Sequence, residues 1–249
     1  MNLGLHDRVA VVTGGASGIG RAVALALAAE GCDVAIVDQR PAAEGAAVTS
    51  AIEAAGRRAR YVEGDVRDPG LAAAGIAAIV AAWGRLDLLV CCAGIADDAV
   101  SWKMTPEQWE AVIGVNLTGC FLWNRAAALE MKERGGGRIV NIGSINGLRG
   151  KVGQANYAAS KAGVVGLSKT LARELGKYGV TVNVVAPGMV RTPMTAGLPK
   201  DVEARAIAET AVGRLAEPED CAAVVAFLCS ERAAHVTGQV VRVDGGQYP

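Results

Sequence analysis

Short apolar runs rich in β-branched residues alternate with longer alanine-rich segments along nearly the whole chain. The runs predict strands at 8–13, 33–37, 60–63, 86–91, 137–142, 180–185 and 240–243. The intervening segments predict helices at 20–30, 42–55, 69–83, 106–116, 118–133 and 157–177. Continuously apolar strands separated by helices indicate one parallel sheet with helices on both faces. We therefore predict an α/β fold of about seven strands.

The segment 192–214 is the least regular part of the sequence. It is either a mobile flap over a binding site or an ordinary helical insertion. No linker or shift in composition divides the rest of the chain, so residues 1–249 are expected to form a single domain.

The composition narrows the class of protein. The chain is 51% hydrophobic and carries 25 basic and 25 acidic residues, giving a net charge of zero. Nucleic-acid binding is not expected, because it needs a basic patch. No apolar stretch approaches the length of about 18 residues that spans a membrane, so no membrane partner is expected either. The N-terminal residues lack the features of a signal peptide.

The six cysteines form no C-x-x-C pair, and the two histidines lie near opposite ends of the chain. A metal site is therefore not expected. Most of the cysteines lie in apolar runs and are interpreted as small buried side chains. Free thiols suit a reducing compartment, and we expect a cytoplasmic protein.

A glycine-rich turn connects the first strand to the first helix, reading Thr13-Gly-Gly-Ala-Ser-Gly-Ile-Gly20. Glycines permit close approach of a ligand to the backbone, and a helix N-terminus attracts phosphate groups. Since dinucleotides bind after the first strand of such folds, the turn predicts a pyrophosphate site. The expected contacts are Gly14, Ser17, Gly18 and Ile19.

Asp38 ends the second strand, 18 residues after Gly20. A carboxylate there can accept hydrogen bonds from ribose hydroxyls and repel a 2′-phosphate, which predicts NAD(H) rather than NADP(H). Arg40 is the alternative signal, since a nearby cation tolerates phosphate. Asp65-Val66 follows the third strand and is placed at the adenine, although Asp65 could instead start the next helix.

Tyr157 and Lys161 are four residues apart in a predicted helix and share one face of it. An ammonium group should lower the pKa of a neighbouring phenol, which is about 10 in isolation, and make it a usable general acid/base. Such pairs are also common as surface contacts. Ser144 follows the fifth strand, and residues 187–188 follow the sixth, where open α/β sheets place their sites. Asn116 is a polar residue inside a predicted helix, which indicates a structural or functional role for its side chain.

These motifs occur in the order found in the short-chain dehydrogenase/reductase family, and the sequence resembles that family from Arg8 to Gly246. The resemblance implies a Rossmann-like, doubly wound parallel sheet and a nicotinamide cofactor. It assigns proton transfer to Tyr157, polarisation of the substrate oxygen to Ser144, and a proton relay to Asn116 and Lys161. It also implies further cofactor contacts, which are Cys92, Ala93, Gly94, Tyr157, Lys161, Pro187, Gly188, Val190 and Thr192.

One departure from the family is the pair Cys91-Cys92, where relatives usually carry two asparagines. Amide bonds between neighbouring strands would be lost, and a thiol beside the cofactor could be sensitive to alkylation or oxidation.

The sequence most resembles the 3-oxoacyl-carrier-protein reductases, for example in GQANYAASKAGVVGLSKTLARE. Those enzymes usually use NADPH and dock a carrier protein on basic residues. Here the Asp38 carboxylate disfavours NADPH. Leu129 occupies a position where the resemblance implies a second arginine, in addition to Arg173, for docking the carrier protein. Leu148, Val152, Gly147, Gly153 and Ala96 are expected near the substrate, which favours an uncharged, small ketone or secondary alcohol.

Three functions thus stay open. The leading prediction is an NAD(H)-dependent alcohol dehydrogenase or carbonyl reductase with Tyr157 as general acid/base. The first alternative is an NADPH-dependent 3-oxoacyl-carrier-protein reductase. The second alternative is a non-catalytic regulator that binds a dinucleotide. It is disfavoured because the sequence retains all four candidate catalytic residues, which are Asn116, Ser144, Tyr157 and Lys161. A nucleotide-sugar epimerase would need an added substrate domain.

The resemblance also implies a homotetramer in which long helices pack in pairs. The helix that starts at Tyr157 carries small residues suited to close packing, which are Ala158, Ala159, Ala162, Gly163 and Gly166. These residues could instead pack inside the protomer.

Overall fold

The computed structural model describes residues 2–248. Its strands form one parallel sheet in the order β3-β2-β1-β4-β5-β6-β7. Their bounds are β1 Val9–Thr13, β2 Asp33–Asp38, β3 Ala59–Glu63, β4 Leu88–Cys91, β5 Gly137–Ile142, β6 Val180–Pro187 and β7 Val240–Val243. The order reverses between β1 and β4, which opens a crevice at the carboxyl ends of these strands. The predicted doubly wound α/β fold is confirmed.

Helices cover both faces of the sheet. Their bounds are α1 Gly18–Ala29, α2 Ala42–Ala54, α3 Pro69–Trp83, α4 Pro106–Ile113, α5 Cys120–Arg134, α6 Asn146–Arg149, α7 Ala155–Leu175, α8 Lys200–Glu209 and α9 Pro218–Cys229. A π-helical turn, Gly114–Gly119, joins α4 to α5 without a break. Short 3₁₀ turns occupy Gly176–Tyr178 and Glu231–Ala233.

The core is divided into two layers by the sheet. On one face, alternate residues of β1 such as Ala10 and Val12 belong to the layer that also contains residues of α1 and α9. On the other face, Val9 and Val11 belong to the layer that contains Trp123 of α5. Because both faces are covered, the central strands are apolar along their whole length.

The helices α6 and α9 were not predicted from the sequence. Helix α9 has Pro218 in its first turn and a capping box between Glu217 and Asp220, so start signals were present. The four-residue helix α6 is too short to show periodicity. Segment 192–214 contains the helix α8, which follows a turn from 192 to 198. The segment is therefore a helical insertion. Movement of this segment over the site stays a prediction.

Within the described residues 2–248, no helix is both long and apolar enough to cross a membrane.

Carboxylates at the amino ends of the strands hold that edge of the sheet together. Asp87, just before β4, accepts hydrogen bonds from the Val9 amide (2.9 Å) and from the Arg85 guanidinium (2.6 Å). Asp33 at the start of β2 accepts the Arg58 amide and guanidinium at 2.7 to 2.9 Å. These arginine contacts lower the pKa of both buried carboxyls, against the opposing effect of burial.

Candidate active site

A cavity of about 520 Å³ lies at the carboxyl ends of the central strands, where the strand order reverses. Every cofactor contact predicted from the sequence lines it, and Ser144 lines it as well. These residues are Gly14, Ser17, Gly18, Ile19, Asp38, Asp65, Val66, Cys92, Ala93, Gly94, Ser144, Tyr157, Lys161, Pro187, Gly188, Val190 and Thr192. The cavity therefore joins the predicted phosphate site to the predicted catalytic group.

The glycine-rich turn is packed too tightly for side chains. Gly14 has a φ of +67°, and a Cβ on it would lie 2.7 Å from the Ala93 Cα in the loop after β4. A Cβ on Gly20 would collide with the Gly14 carbonyl. The turn therefore delivers the N-terminus of α1 to the cavity, where its positive dipole end suits a pyrophosphate.

Asp38 presents a fixed negative charge to the cavity. Its side chain accepts the amide hydrogens of Ala16 and Arg40, both at 3.1 Å, and the residue is only 8% exposed. The Arg40 guanidinium points to Glu44 instead, with 3.5 Å between Nη1 and Oε2. The guanidinium of Arg40 is therefore paired with Glu44 and not with the Asp38 carboxylate.

Asp65 reaches the cavity but is paired with Arg67 through a contact of 2.6 Å. That hydrogen bond lowers the pKa of Asp65. Asp65 does not start the next helix; Asp68 caps α3 by accepting the amides of Gly70 and Leu71. The alternative interpretation of Asp65 as a helix cap is thus wrong, because the cap lies three residues later.

The close approach of α6 to α7 brings Ser144 to the side of the cavity that holds Tyr157. A Cβ on Gly147 would lie 2.8 Å from the backbone of Lys161 and Ala162 in α7, so only glycine fits there. The Ser144 hydroxyl accepts the Asn146 amide (3.1 Å) and is thereby fixed.

The electrostatics of Tyr157 differ from the expectation. Burial raises the pKa of the phenol, and the Ser144 hydroxyl beside it acts in the opposite direction. Lys161 Nζ lies 5.7 Å from the centre of the phenol ring and donates to the Ile142 carbonyl at 2.8 Å. Burial lowers the pKa of Lys161 itself. The net direction of the Tyr157 pKa is therefore opposite to the predicted one, because burial is the stronger effect.

Asn116 lies behind the cavity wall, with 1% of its surface exposed. Its side chain accepts the Ile95 amide at 2.8 Å, and donates to the Ile95 carbonyl (3.0 Å) and the Ser160 hydroxyl (3.2 Å). Asn116 lies in the π-helical turn, which places its side chain against Ile95 and Ser160 and accounts for a polar residue at this point of the helix. The side chain anchors the loop after β4, and its part in a proton relay stays a prediction.

The thiol pair has different surroundings from those expected. Asn124 donates to Asn141 at 2.9 Å and contacts the sulfurs of Cys91 and Cys120, so buried amides still tie β5 to α5. Burial raises the pKa of the Cys92 thiol, which keeps it neutral at the cavity wall. The structure therefore gives no support to a reactive Cys92, because a neutral thiol is a poor nucleophile.

The residues before α7 that line the cavity differ from those predicted. Ala96 lines it, but Leu148 and Val152 do not, and they are 37% and 89% exposed. Their neighbours line the wall instead, namely Asn146, Arg149, Lys151 and Gln154. The placement of Leu148 and Val152 in the pocket is thus wrong, because the register of the loop before α7 cannot be read from composition.

Sequence reasoning also missed Gln154, Asp98 and Gln247 in the cavity wall. Gln154 precedes α7, accepts from Asn146 at 3.0 Å and donates to Asp98 at 2.9 Å. Its place inside the GQANY motif was the available signal. Gln247 follows a double glycine at the chain end, which by itself points to a turn and not to a site.

Comparisons with known proteins agree with this geometry. Residues 14–247 match the family described as enoyl-(acyl carrier protein) reductase. An acetoacetyl-CoA reductase of Rhizobium meliloti is 46% identical over 247 residues, covering 97% of this chain and 99% of that protein. A (3R)-3-hydroxyacyl-CoA dehydrogenase of Rattus norvegicus is 42% identical, with 99% and 98% covered. The 3-oxoacyl-(acyl-carrier-protein) reductase FabG of Escherichia coli is 40% identical, with 99% of both chains covered.

The fold has a near match among solved structures. A crystal structure of a Sinorhizobium meliloti protein, provisionally assigned as a short-chain alcohol dehydrogenase, superimposes with a TM-score of 0.95 at 35% identity. It covers 99% of this chain, and 98% of that chain is matched. The strand order, the cavity and the relatives lead to one conclusion: the chain is an oxidoreductase of the short-chain dehydrogenase/reductase family.

Proposed function

We propose that the protein is an NAD(H)-dependent oxidoreductase that interconverts 3-oxoacyl and 3-hydroxyacyl thioesters of coenzyme A. One observation carries the proposal. Ser144, Tyr157 and Lys161 line the same cavity as the glycine-rich turn and Asp38, so a dinucleotide and a carbonyl can meet there.

The cofactor supplies the hydride chemistry when it is bound. The residues of this chain position the other reactant and move the proton. Ser144 donates its hydroxyl hydrogen to the carbonyl oxygen and polarises it. Tyr157, whose raised pKa keeps the phenol protonated at neutral pH, donates its proton to the same oxygen during reduction.

Lys161 assists without reaching the substrate. It is 4% exposed, and its Nζ is held 2.8 Å from the Ile142 carbonyl. The ammonium stabilises the phenolate that forms when Tyr157 has given up its proton. Its remaining N–H groups are suited to the hydroxyls of the nicotinamide ribose.

NAD(H) is preferred over NADP(H) for an electrostatic reason. The Asp38 carboxylate is buried and fixed by two backbone amides, while Arg40 is engaged with Glu44. A 2′-phosphate would meet the Asp38 charge, while Arg40, which also lines the cavity, is drawn toward Glu44.

The thioester assignment rests on the relatives and on the polar cavity wall. Two of the relatives are named for coenzyme A thioesters and one for the carrier protein. Lys151 stands at the cavity wall, where a cation attracts an anionic substrate, whereas Arg149 in the same wall is paired with Glu209 at 3.2 Å. The resemblance to the carrier-protein reductases implies a second arginine at position 129, but Leu129 is apolar and 57% exposed, which favours coenzyme A.

The test is turnover of acetoacetyl-CoA with NADH, followed as loss of the reduced cofactor's near-ultraviolet absorbance. Tyr157→Phe is the control, since it keeps the ring and removes the proton donor. NADPH and a carrier-protein thioester are run in parallel. Turnover confined to NADPH and the carrier protein would establish the reductase alternative. Cofactor binding without turnover in either direction would indicate the regulator.

We also propose a homotetramer built on α5 and α7. In α7, Ala159, Ala162 and Gly166 are exposed, whereas a Cβ on Gly163 would lie 2.7 Å from Leu117 inside the protomer. The small residues therefore lie on two faces of the helix, one packed inside the protomer and one open to a second copy. Phe121 adds exposed apolar area on α5, and sedimentation analysis of the purified protein tests the assembly.

A further inference from the structure

The chain turns back into the cavity after β7. Gly245 and Gly246 have φ angles of +60° and +79°, and the Asp244 carboxylate accepts the amides of Gly246 and Tyr248 at 3.1 Å. This turn carries Gln247 inward, where only 8% of the residue is exposed. A glutamine fixed in this way is a part of the cavity wall rather than a loose chain end.

One end of the Gln247 side chain holds the loop that follows β6. Its carbonyl oxygen accepts the Met189 amide at 3.0 Å. Gly188 lies directly beneath, and a Cβ there would lie only 2.5 Å from that oxygen. Glycine at 188 therefore allows the contact, and Gln247 fixes the direction of the Met189 amide.

The other end of the same side chain holds α8. The Gln247 amide nitrogen donates to Glu209 Oε2, in the last residue of that helix, at 3.0 Å. Arg149 of α6 donates to the same carboxylate oxygen at 3.2 Å and to the Gln247 backbone carbonyl at 3.3 Å. The loop after β6, α8 and α6 therefore meet at one buried amide.

Both the oxygen and the nitrogen of the Gln247 side-chain amide have hydrogen-bond partners. Loss of either partner would leave a buried polar atom unsatisfied, which destabilises the folded state. The hydrogen bond from Gln247 and the contacts with Arg149 lower the pKa of Glu209, so the carboxylate stays charged and remains an acceptor. The contacts are thus mutually dependent.

We propose that Gln247 is a positioning residue: it fixes the Met189 amide and holds α8 against the cavity, so that Val190 and Thr192 are pre-positioned for the nicotinamide end of the cofactor. This inference rests on the proposed NAD(H)-dependent function. Pre-positioning acts on cofactor binding, so its loss affects the KM for NADH and leaves kcat nearly unchanged.

The experiment compares wild type with Gln247→Met, which keeps the length and bulk of the side chain and removes both hydrogen bonds. Amide hydrogen exchange is measured on the cofactor-free protein, and NADH binding is measured by titration. We expect exchange at Met189 and in 200–209 to be at least about fivefold faster, from the loss of hydrogen bonds worth about 1 kcal/mol each. NADH should bind about five- to tenfold more weakly, with kcat at saturating NADH within about twofold of wild type.

Two further comparisons separate this role from general packing. Gln239→Met changes an exposed glutamine just before β7 and should leave both measurements unchanged. Glu209→Gln retains an acceptor for Gln247 and should keep most of the protection of α8, whereas Glu209→Ala should lose it. The Glu209 side chain is 50% exposed, so these variants fold even if Gln247→Met does not.

The outcomes distinguish this inference from the proposed function. Unchanged exchange in Gln247→Met, with NADH turnover intact, overturns the role of Gln247 alone. Faster exchange with unaltered NADH affinity overturns it too. A wild-type chain that binds neither NADH nor NADPH refutes the proposed function, and with it the cofactor role of Gln247.

Discussion

Neutralising Asp38 should reduce the discrimination between the two nicotinamide cofactors. Asp38→Asn removes the charge and keeps one oxygen to accept an amide hydrogen from Ala16 or Arg40, so the turn is disturbed little. The expected result is weaker NADH binding together with stronger NADPH binding. Dissociation constants for both cofactors, measured by fluorescence titration, give the ratio directly.

The magnitude follows from burial and distance. A 2′-phosphate held in place of a ribose hydroxyl would stand about 4 Å from the carboxylate, which costs about 4 kcal/mol per unit charge at an effective dielectric constant of about 20. Asp38 is only 8% exposed, so solvent removes part of this cost and not most of it. We therefore expect wild type to prefer NADH by at least about 100-fold.

The variant loses a charge-assisted hydrogen bond to the ribose, worth about 1.5 kcal/mol, which weakens NADH about tenfold. Relief of a repulsion that costs more than about 2 kcal/mol should strengthen NADPH binding at least about 30-fold, so the preference for NADH over NADPH should fall at least about 300-fold.

Asp65→Asn is the matched control for this experiment. Asp65 lines the same cavity, but its charge is already compensated by Arg67 at 2.6 Å. The cofactor ratio should change less than about threefold, as for other compensated surface charges. A wild type that prefers NADPH, or an Asp38→Asn variant with an unaltered ratio and a normal melting curve, would refute the electrostatic argument.

Three other predictions follow from the geometry. Burial raises the pKa of Tyr157, so kcat/KM for reduction should be flat through neutral pH and fall only above the ordinary tyrosine value of about 10. The rate of oxidation should rise with pH. A reduction profile that falls through neutral pH would contradict this. Gly147→Val should push α6 away from α7 and destabilise the protein by about 1–3 kcal/mol through overpacking. Because Ser144 moves, kcat should fall more than cofactor affinity does. Unchanged kinetics would disprove the packing role. Asp87→Asn should destabilise the protein by about 3 kcal/mol in urea unfolding at neutral pH, because it breaks a buried ion pair. The folded pKa of Asp87 is lowered, so its contribution is present above the unfolded value of about 3.9 and is lost as pH falls below it; the two proteins should converge in acid, and an undiminished difference there would contradict the linkage.

The sheet and the phosphate turn could be predicted because their signals are local. Strands buried on both faces are apolar throughout, and glycines mark the positions where a Cβ would collide with Ala93 or Gly14. The ordered motifs then identified the residues that line the cavity.

The rest depends on contacts between distant parts of the chain. The exposure of Val152 and the burial of Gln247 are set by how the loop before α7 and the chain end pack, which no periodicity records. The π-helical turn at Asn116 differs from an α-helix in its hydrogen-bond spacing, which the sequence does not show directly. The pKa direction of Tyr157 depends on its burial by the finished fold, whereas the i, i+4 spacing shows only its neighbour Lys161.

The two edges of the sheet have separate tasks. Asp33 and Asp87 tie the amino ends of the strands together, and the cavity opens at the carboxyl ends. An engineer who wishes to change the cofactor or substrate can therefore strengthen the first edge beforehand and gain mutational tolerance without altering the second. Laboratory evolution of this chain should accordingly accumulate thermostabilising changes near Asp33 and Asp87, and altered specificity along the opposite rim.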